Sequence, residues 1–252
     1  MTQETPGGRL RFLHWNVHSW RDDAGRANLD AVVGLVAKTQ PDVVSLVEVS
    51  EPWAAPAALP ALARGGGYAW IFVPAVELGT NAPARGYGNA LLTRLPVRAV
   101  QQWQLTWPPT VYNGTEPSEP RTVALARVAL PAGAVWAGST HLPSTDERAR
   151  SAALQRLAAV IRSLDAPWLI CGDFNVPAAD WAGQVALPLV VGPDPPQPSH
   201  PARDPVRPID YCIAAPGVAL DAQVVTAAGS DHLPVLVDCR ISTRPGLPGE
   251  AR

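Results

Sequence analysis

The stretch Trp168-Leu169-Ile170-Cys171-Gly172-Asp173-Phe174-Asn175 runs four apolar residues straight into Gly-Asp-x-Asn. A short, continuous apolar run reads as a strand buried on both faces. Its end delivers a carboxylate and a carboxamide two residues apart. In α/β sheets the backbone is rigid at strand ends, and side chains from several strands converge there into ligand sites.

The neighbouring segments extend the pattern. Before this strand lies a helix with Leu154, Leu157, Ile161 and Leu164 as its apolar stripe. Ser144-Thr145-Asp146-Glu147 reads as its capping box, with Ser144 at the N-cap. Runs at 68–74, 88–95, 98–105, 121–130 and 133–142 are short, β-like and closely spaced, which predicts antiparallel strands. Near the N-terminus, Arg9–His18 is apolar on both alternations. A helix from about Gly25 follows and stops at Pro41, and Asp42–Val49 is a second buried strand. Strand, helix, strand in that order predicts a βαβ unit. Further strands are predicted at 209–215, 222–228 and 233–241, and loops at 104–120 and 192–208. A single domain over 9–241 is expected, with a disordered N-terminus (1–8) and a C-terminal tail (242–252).

The chain has 252 residues, 47% of them hydrophobic, which is enough for one large core. A net charge of -2 carries none of the basic excess of an obligate nucleic-acid binder. Cys171, Cys212 and Cys239 are far apart, each inside an apolar run, and read as buried free thiols rather than a disulfide framework or a metal set. No secretory h-region and no membrane-length apolar run is visible. The expectation is a soluble, cytoplasmic monomer.

Polar side chains recur where strands end: Asn16 and His18, Glu48, His141, Asp173 and Asn175, Asp210, and the pair Asp231-His232. Taken singly, each has a plain structural explanation as a turn, cap or satisfied interior residue. Gathered at one sheet edge they suit phosphoester chemistry. Hard divalent cations take oxygen ligands, and imidazoles can neutralise phosphate charge or move protons near neutral pH.

The motifs "HWNVHSW", "PDVVSLVEV", "GNALLTRLPV" (88–97), "STHLPS", "GDFN", "PIDY" and "SDHLPV" resemble, in order and spacing, the endonuclease/exonuclease/phosphatase superfamily of DNase I-like metal-dependent phosphoesterases. The resemblance spans about residues 9–241. It implies a four-layer α/β sandwich, with two packed mixed β-sheets flanked by helices and an active site at one edge. It implies that Glu48 ligates Mg²⁺ or Mn²⁺, with Asn16 and Asp231 beside the metal. Asp173 would orient or deprotonate the attacking water, and Asn175 would help place it. Asp210 would fix the tautomer of His232, which contacts the scissile phosphate together with His141. Arg121 and Asn89 would bind phosphate oxygens. A histidine at 141 is the pattern of DNase I-like nucleases, sphingomyelinases and 5-phosphatases rather than of apurinic-site endonucleases.

The favoured reading is a phosphodiesterase or nuclease that cleaves by in-line attack of a metal- and Asp-activated water. Arg85, Arg94, Arg121, Arg203 and Arg207 could then form a rim for nucleic acid, and Trp53, Trp103, Trp107 and Tyr112 could stack bases. The alternatives are a phosphatase or phosphodiesterase for a small metabolite, phosphoinositide or phospholipid headgroup, and a non-catalytic binding module on the same scaffold.

Overall fold

Alternation along the predicted strands sorts side chains onto two faces, and a computed structural model of the chain shows what each face meets. Residues 8–52, 57–78, 85–107, 119–131 and 133–242 are described. The terminal segments 1–7 and 243–252, Trp53, and residues 108–118 of the predicted loop, including Tyr112, lie outside them.

One six-stranded sheet begins with β1 (Gly8–Asn16), β2 (Val43–Pro52), β3 (Ala69–Leu78) and β4 (Arg85–Thr93). The other contains β5 (Val97–Thr106), β6 (Arg121–Leu130), β7 (Gly133–His141), β8 (Trp168–Asp173), β9 (Val190–Gly192) and β10 (Asp210–Ala214). β11 (Val218–Val224) and β12 (Val235–Ile241) complete the first. The orders are β11-β12-β1-β2-β4-β3 and β5-β6-β7-β8-β10-β9. Each sheet has one parallel pair at its centre, β1/β2 and β7/β8, and antiparallel pairs elsewhere. α1 (Leu29–Thr39) makes the first parallel crossover and α3 (Glu147–Arg162) the second. This is the expected α/β sandwich of two mixed sheets with helices.

β1 shows how sequence chooses the faces. Leu10 and Phe12 enter the core between the sheets, while Leu13, Trp15 and Val17 turn outward under α1 and α2 (Ala58–Gly66). Burying Trp15 and Phe12 contributes roughly 1.5–3 kcal/mol each. Val32, Leu35 and Val36 of α1 meet Leu59 and Leu62 of α2 in that outer layer. Leu154, Leu157 and Ile161 of α3 join the larger cluster with Trp136 and Trp168.

Three expectations need correction. α3 is capped by Asp146, whose carboxylate accepts from the Arg148 and Ala149 amides, not by Ser144. Asp146 has the extended backbone of an N-cap and so takes the orphan amides itself. α1 begins at Leu29 rather than near Gly25, because Asn28 reaches away to the Val17, Arg21 and Gly229 carbonyls and fixes the chain ahead of the first turn. Cys171 and Cys212 are not free thiols: they face each other across β8 and β10 and form a disulfide, while Cys239 alone is free and buried.

Candidate active site

The two parallel pairs end at the same edge. β1 delivers Asn16, β2 Glu48, β7 His141 and β8 Asp173. β10 sets Asp210 directly opposite Asp173 in the antiparallel ladder. Residues 230–232 bring Asp231 and His232 in from just before β12.

Asn16 lies between two acids. Its Nδ2 donates to Glu48 Oε1 at 3.0 Å and to Asp173 Oδ2 at 3.1 Å, and its Oδ1 accepts the His18 amide at 3.0 Å. Asn16 thus spaces the two carboxylates, and its oxygen, which accepts one hydrogen bond, keeps a second lone pair. Glu48 sits at a bulge in β2 with φ 56, and Asn175 has φ 57, both in the left-handed region. Asp173 Oδ1 accepts the Asn175 backbone amide at 2.9 Å, a local turn bond, and the Asn175 side chain reaches the Leu142 carbonyl beside His141.

Asp210 Oδ2 lies 2.7 Å from His232 Nδ1 and accepts from Ser199 Oγ at 2.6 Å. His232 Nε2 then points to Asp173 Oδ2 at 3.7 Å. Burial favours neutral Asp210, but the His232 and His14 imidazoles outweigh it and hold the carboxyl well below its usual range. Burial and the neighbouring Asp210 charge push Asp173 up to about 7. Burial alone would lower His232, yet Asp210 and Asp173 carry it up to about 10.

His141 has no carboxylate behind it. Arg121 Nη1 sits 3.0 Å from its Nδ1 and also pairs with Glu119 Oε2 at 3.1 Å. A guanidinium only donates, so Nδ1 accepts and the ring's hydrogen sits on Nε2. The acceptor facing that hydrogen is Asp173 Oδ2 at 3.5 Å; Asn175 Nδ2, 3.0 Å away, is itself a donor and gives a hydrogen to the Leu142 carbonyl. Burial, then the Arg121 charge, hold His141 well below its ordinary pKa, so the ring is neutral.

A cavity of about 350 Å³ opens here, lined by Glu48, Tyr87, Glu119, Arg121, His141, Pro143, Ser144, Thr145, Asp173, Asn175 and His232. Asn16 and Asp210 lie behind that lining. Asp231 is set aside from it, 3.2 Å from His18 Nδ1. Asn89 does not line it: its Nδ2 donates to Thr122 carbonyl and hydroxyl oxygens, so its donors serve β6 and not the expected phosphate contact. Of the predicted rim arginines, Arg85 bonds Ser50, Arg94 bonds Gly66 and Gln40, Arg203 pairs with Asp23, and Arg207 reaches the Asn175 carbonyl. Only Arg121 lines the cavity.

The donor set fits a hard divalent cation. Glu48 Oε1 accepts from Asn16, and Oε2 has no hydrogen-bond partner among the described residues. Asp173, Asp210 and His232 form one group of potential ligand atoms within 4.8 Å of one another, and His200, Asp231 and His232 form another. The carboxylate oxygens of Glu48 and Asp173 are the ligand type that suits Mg²⁺ or Mn²⁺, whereas His200, Asp231 and His232 offer two imidazole nitrogens to one carboxylate. Sequence reading passed over Glu119, His14, Ser45 and Ser199. Glu119 stands two positions before Arg121 and His14 two before Asn16, so strand alternation alone would have put each on its neighbour's face.

Solved structures share this architecture. An endonuclease/exonuclease/phosphatase family protein from Bacteroides thetaiotaomicron superposes with TM-score 0.75 at 14% identity, covering 98% of this chain and 99% of that one. A mannosyl-6-phosphatase, Bt3783, from the same organism gives 0.70 at 15% identity, covering 91% and 99%. ANGEL2, a 2',3'-cyclic phosphatase in complex with adenosine-2',3'-vanadate, gives 0.69 at 16%, covering 94% and 96%. At these identities the likeness establishes the fold. The model of the Endonuclease/Exonuclease/phosphatase family matches residues 13–232, and the chain belongs to that family of phosphoesterase hydrolases, which are generally divalent-metal dependent. No curated protein matches the sequence.

Proposed function

We propose that the chain hydrolyses compact phosphoesters in the presence of Mg²⁺ or Mn²⁺. The observation that carries this is the convergence of a buried carboxyl with a pKa near neutrality, Asp173, with His232, His141 and Arg121 on one cavity of about 350 Å³. A volume of that order suits a small ligand. Among the described residues, the arginines expected to form a nucleic-acid rim are engaged elsewhere, Arg121 excepted.

Glu48 would hold the cation, whose charge would neutralise the phosphoryl and leaving oxygens when bound, and Asp231, paired with His18 outside the cavity lining, would join it only by turning inward. Asp173 takes a proton from the attacking water, worth roughly 10²–10⁴ in rate. Asn175 orients that water. Arg121 and protonated His232 bind phosphate oxygens, and Asp210 fixes which His232 nitrogen faces them. Neutral His141 donates a hydrogen bond through Nε2 rather than a proton. All of these side chains come from one chain, so a monomer suffices. No described helix is long and apolar enough to cross a membrane. The Cys171–Cys212 bridge favours an oxidising compartment over the cytoplasmic setting expected from sequence.

A second reading keeps the nuclease. Trp107 is 66% exposed and follows Thr106, whose hydroxyl accepts the Arg121 backbone amide, so an exposed aromatic lies one residue along the chain from a partner of Arg121. The test is hydrolysis, with Mg²⁺ or Mn²⁺, of sugar phosphates, nucleotides, glycerophosphodiesters, plasmid, single-stranded DNA and RNA. Small esters should be cleaved with the highest kcat/KM, and Asp173→Asn and Glu48→Gln should be silent. Preference for the polymers would install the second reading. Inertness toward every substrate with every metal would remove both.

A further inference from the structure

We propose that His14 is a positioning residue of this site: its ring braces Asp210 from the layer beneath, so that Asp210 can hold His232. The inference rests on the hydrolytic reading above for its activity measurements only.

Strand alternation stacks the inward side chains of β1 as Phe12, His14, Asn16, from core to lip. Phe12 belongs to the apolar core and Asn16 to the site. The level between them is polar. His14 is fully buried, and Ser45 stands beside it in the parallel ladder. His14 Nδ1 is 3.0 Å from Ser45 Oγ, and Ser45 Oγ is 2.8 Å from Ser139 Oγ, so a hydrogen given by Ser139 to Ser45 leaves the Ser45 hydrogen for the ring. On the other side of the ring, Nε2 faces Asp210 Oδ1 at 3.5 Å.

Those last two atoms have no other complement. Both are buried, and neither has a hydrogen-bond partner among the described residues. A carboxylate oxygen accepts and cannot donate, so the pair is complementary only when His14 carries a hydrogen on Nε2. The neutral ring then has a lone pair on Nδ1, where the Ser45 hydroxyl, free to rotate, supplies the donor. Ser45 and Ser139 thus set the tautomer that Asp210 requires.

The consequence falls on His232. Asp210 Oδ2 is occupied by His232 and Ser199, and Oδ1 is left to His14. With two donors on Oδ2 and the His14 N–H facing Oδ1 at 3.5 Å, turning of the carboxylate is opposed, and a ring hung on it keeps its direction. An apolar residue at 14 would fill the level with less desolvation, as Phe12 does one step below, but would leave Oδ1 unmatched and the carboxylate free to turn. His14 is on the first sheet and Asp210 on the second, so the brace also fixes the site across the sandwich.

The experiment compares His14→Leu, His14→Gln and, as a packing control, Phe12→Leu. Gln places an amide nitrogen near the Nε2 position. Two quantities are read: kcat and KM on bis(p-nitrophenyl) phosphate, and the downfield proton resonance of His232 Nδ1–H in histidine-labelled protein. His14→Leu should lower kcat about 10- to 100-fold, the usual loss when a side chain that orients a catalytic group is removed, with KM changed less than about twofold. It should also shift or broaden the His232 proton. His14→Gln should recover most of kcat and the resonance, and Phe12→Leu should lower Tm while leaving both in place. The proposal is overturned if His14→Leu lowers Tm alone, or if His14→Gln loses kcat with the His232 resonance unmoved. Should His14→Leu not fold, His14→Gln against Phe12→Leu decides by the same two readouts. A wild type without hydrolytic activity would sink the phosphoesterase reading, while the resonance would still decide for or against the brace.

Discussion

The pKa of Asp173 offers the sharpest test of the site. Burial and the Asp210 carboxylate raise it to about 7. A base of that pKa is ionised in roughly one molecule in eleven at about pH 6 and ten in eleven at about pH 8, so kcat/KM should rise ~10-fold across that interval. An aspartate near its ordinary value would be ionised throughout, and the same interval would be flat. At the alkaline end His232, raised to about 10, loses its proton and the rate should fall again, giving a bell. The assay is initial velocity on bis(p-nitrophenyl) phosphate at fixed free Mg²⁺, read at the isosbestic wavelength. In parallel, the Asp173 carboxyl carbon is followed by ¹³C NMR in the metal-free protein. Asp210→Asn removes the second cause of the shift and should move the Asp173 titration to lower pH. A flat profile from about pH 6 to 8, with a carboxyl carbon that titrates near 4, would refute the burial-and-charge account of this site.

Three further outcomes are expected. Mg²⁺ at about a hundred times its Kd should stabilise the wild type by about 2.7 kcal/mol in a melting assay and Glu48→Gln by nothing; equal shifts would exclude Glu48 as a ligand. Gly172→Ala should cost about 1–3 kcal/mol in urea unfolding, because the new Cβ would collide with the Thr140 carbonyl and approach its Cγ2 at 2.7 Å; an unchanged midpoint would show that β7 and β8 can part there. His232 is raised from 6.5 to about 10 on folding, so its contribution is complete below about 6.5 and lost as pH climbs through about 10. Metal-free protein should therefore weaken from neutral pH to about 10, less so in Asp210→Asn, and a slope of opposite sign would argue against the ion pair.

Much of the sandwich could be read from periodicity, because burial on both faces leaves unbroken apolar runs such as Trp168–Cys171. The site residues were legible for a related reason: a strand that stays apolar to its last position makes Asn16 or Asp173 conspicuous. What escaped depended on partners far away in sequence. α2 starts without a local cap, since the Ala57 and Leu59 amides donate to Glu51 on β2, and Pro60 with Gly65, Gly66 and Gly67 disguises its apolar face. The Cys171–Cys212 bridge joins residues 41 apart that meet only because β8 and β10 pair in that register. The amide of Asn89 is held by Thr122, a residue 33 positions away that no local pattern links to it. His14 was hidden by its surroundings, as one polar residue among apolar ones in a strand.

The left-handed backbone at Glu48 and Asn175 bears on engineering. Such a conformation costs a residue like Glu48 about 1–2 kcal/mol, which glycine largely escapes, and costs Asn175 less, since asparagine adopts it readily. Glycine at position 48 would relieve the chain while deleting a side chain that lines the candidate cavity. A library of this protein sorted by heat resistance alone would therefore enrich sturdier molecules that have stopped turning over substrate.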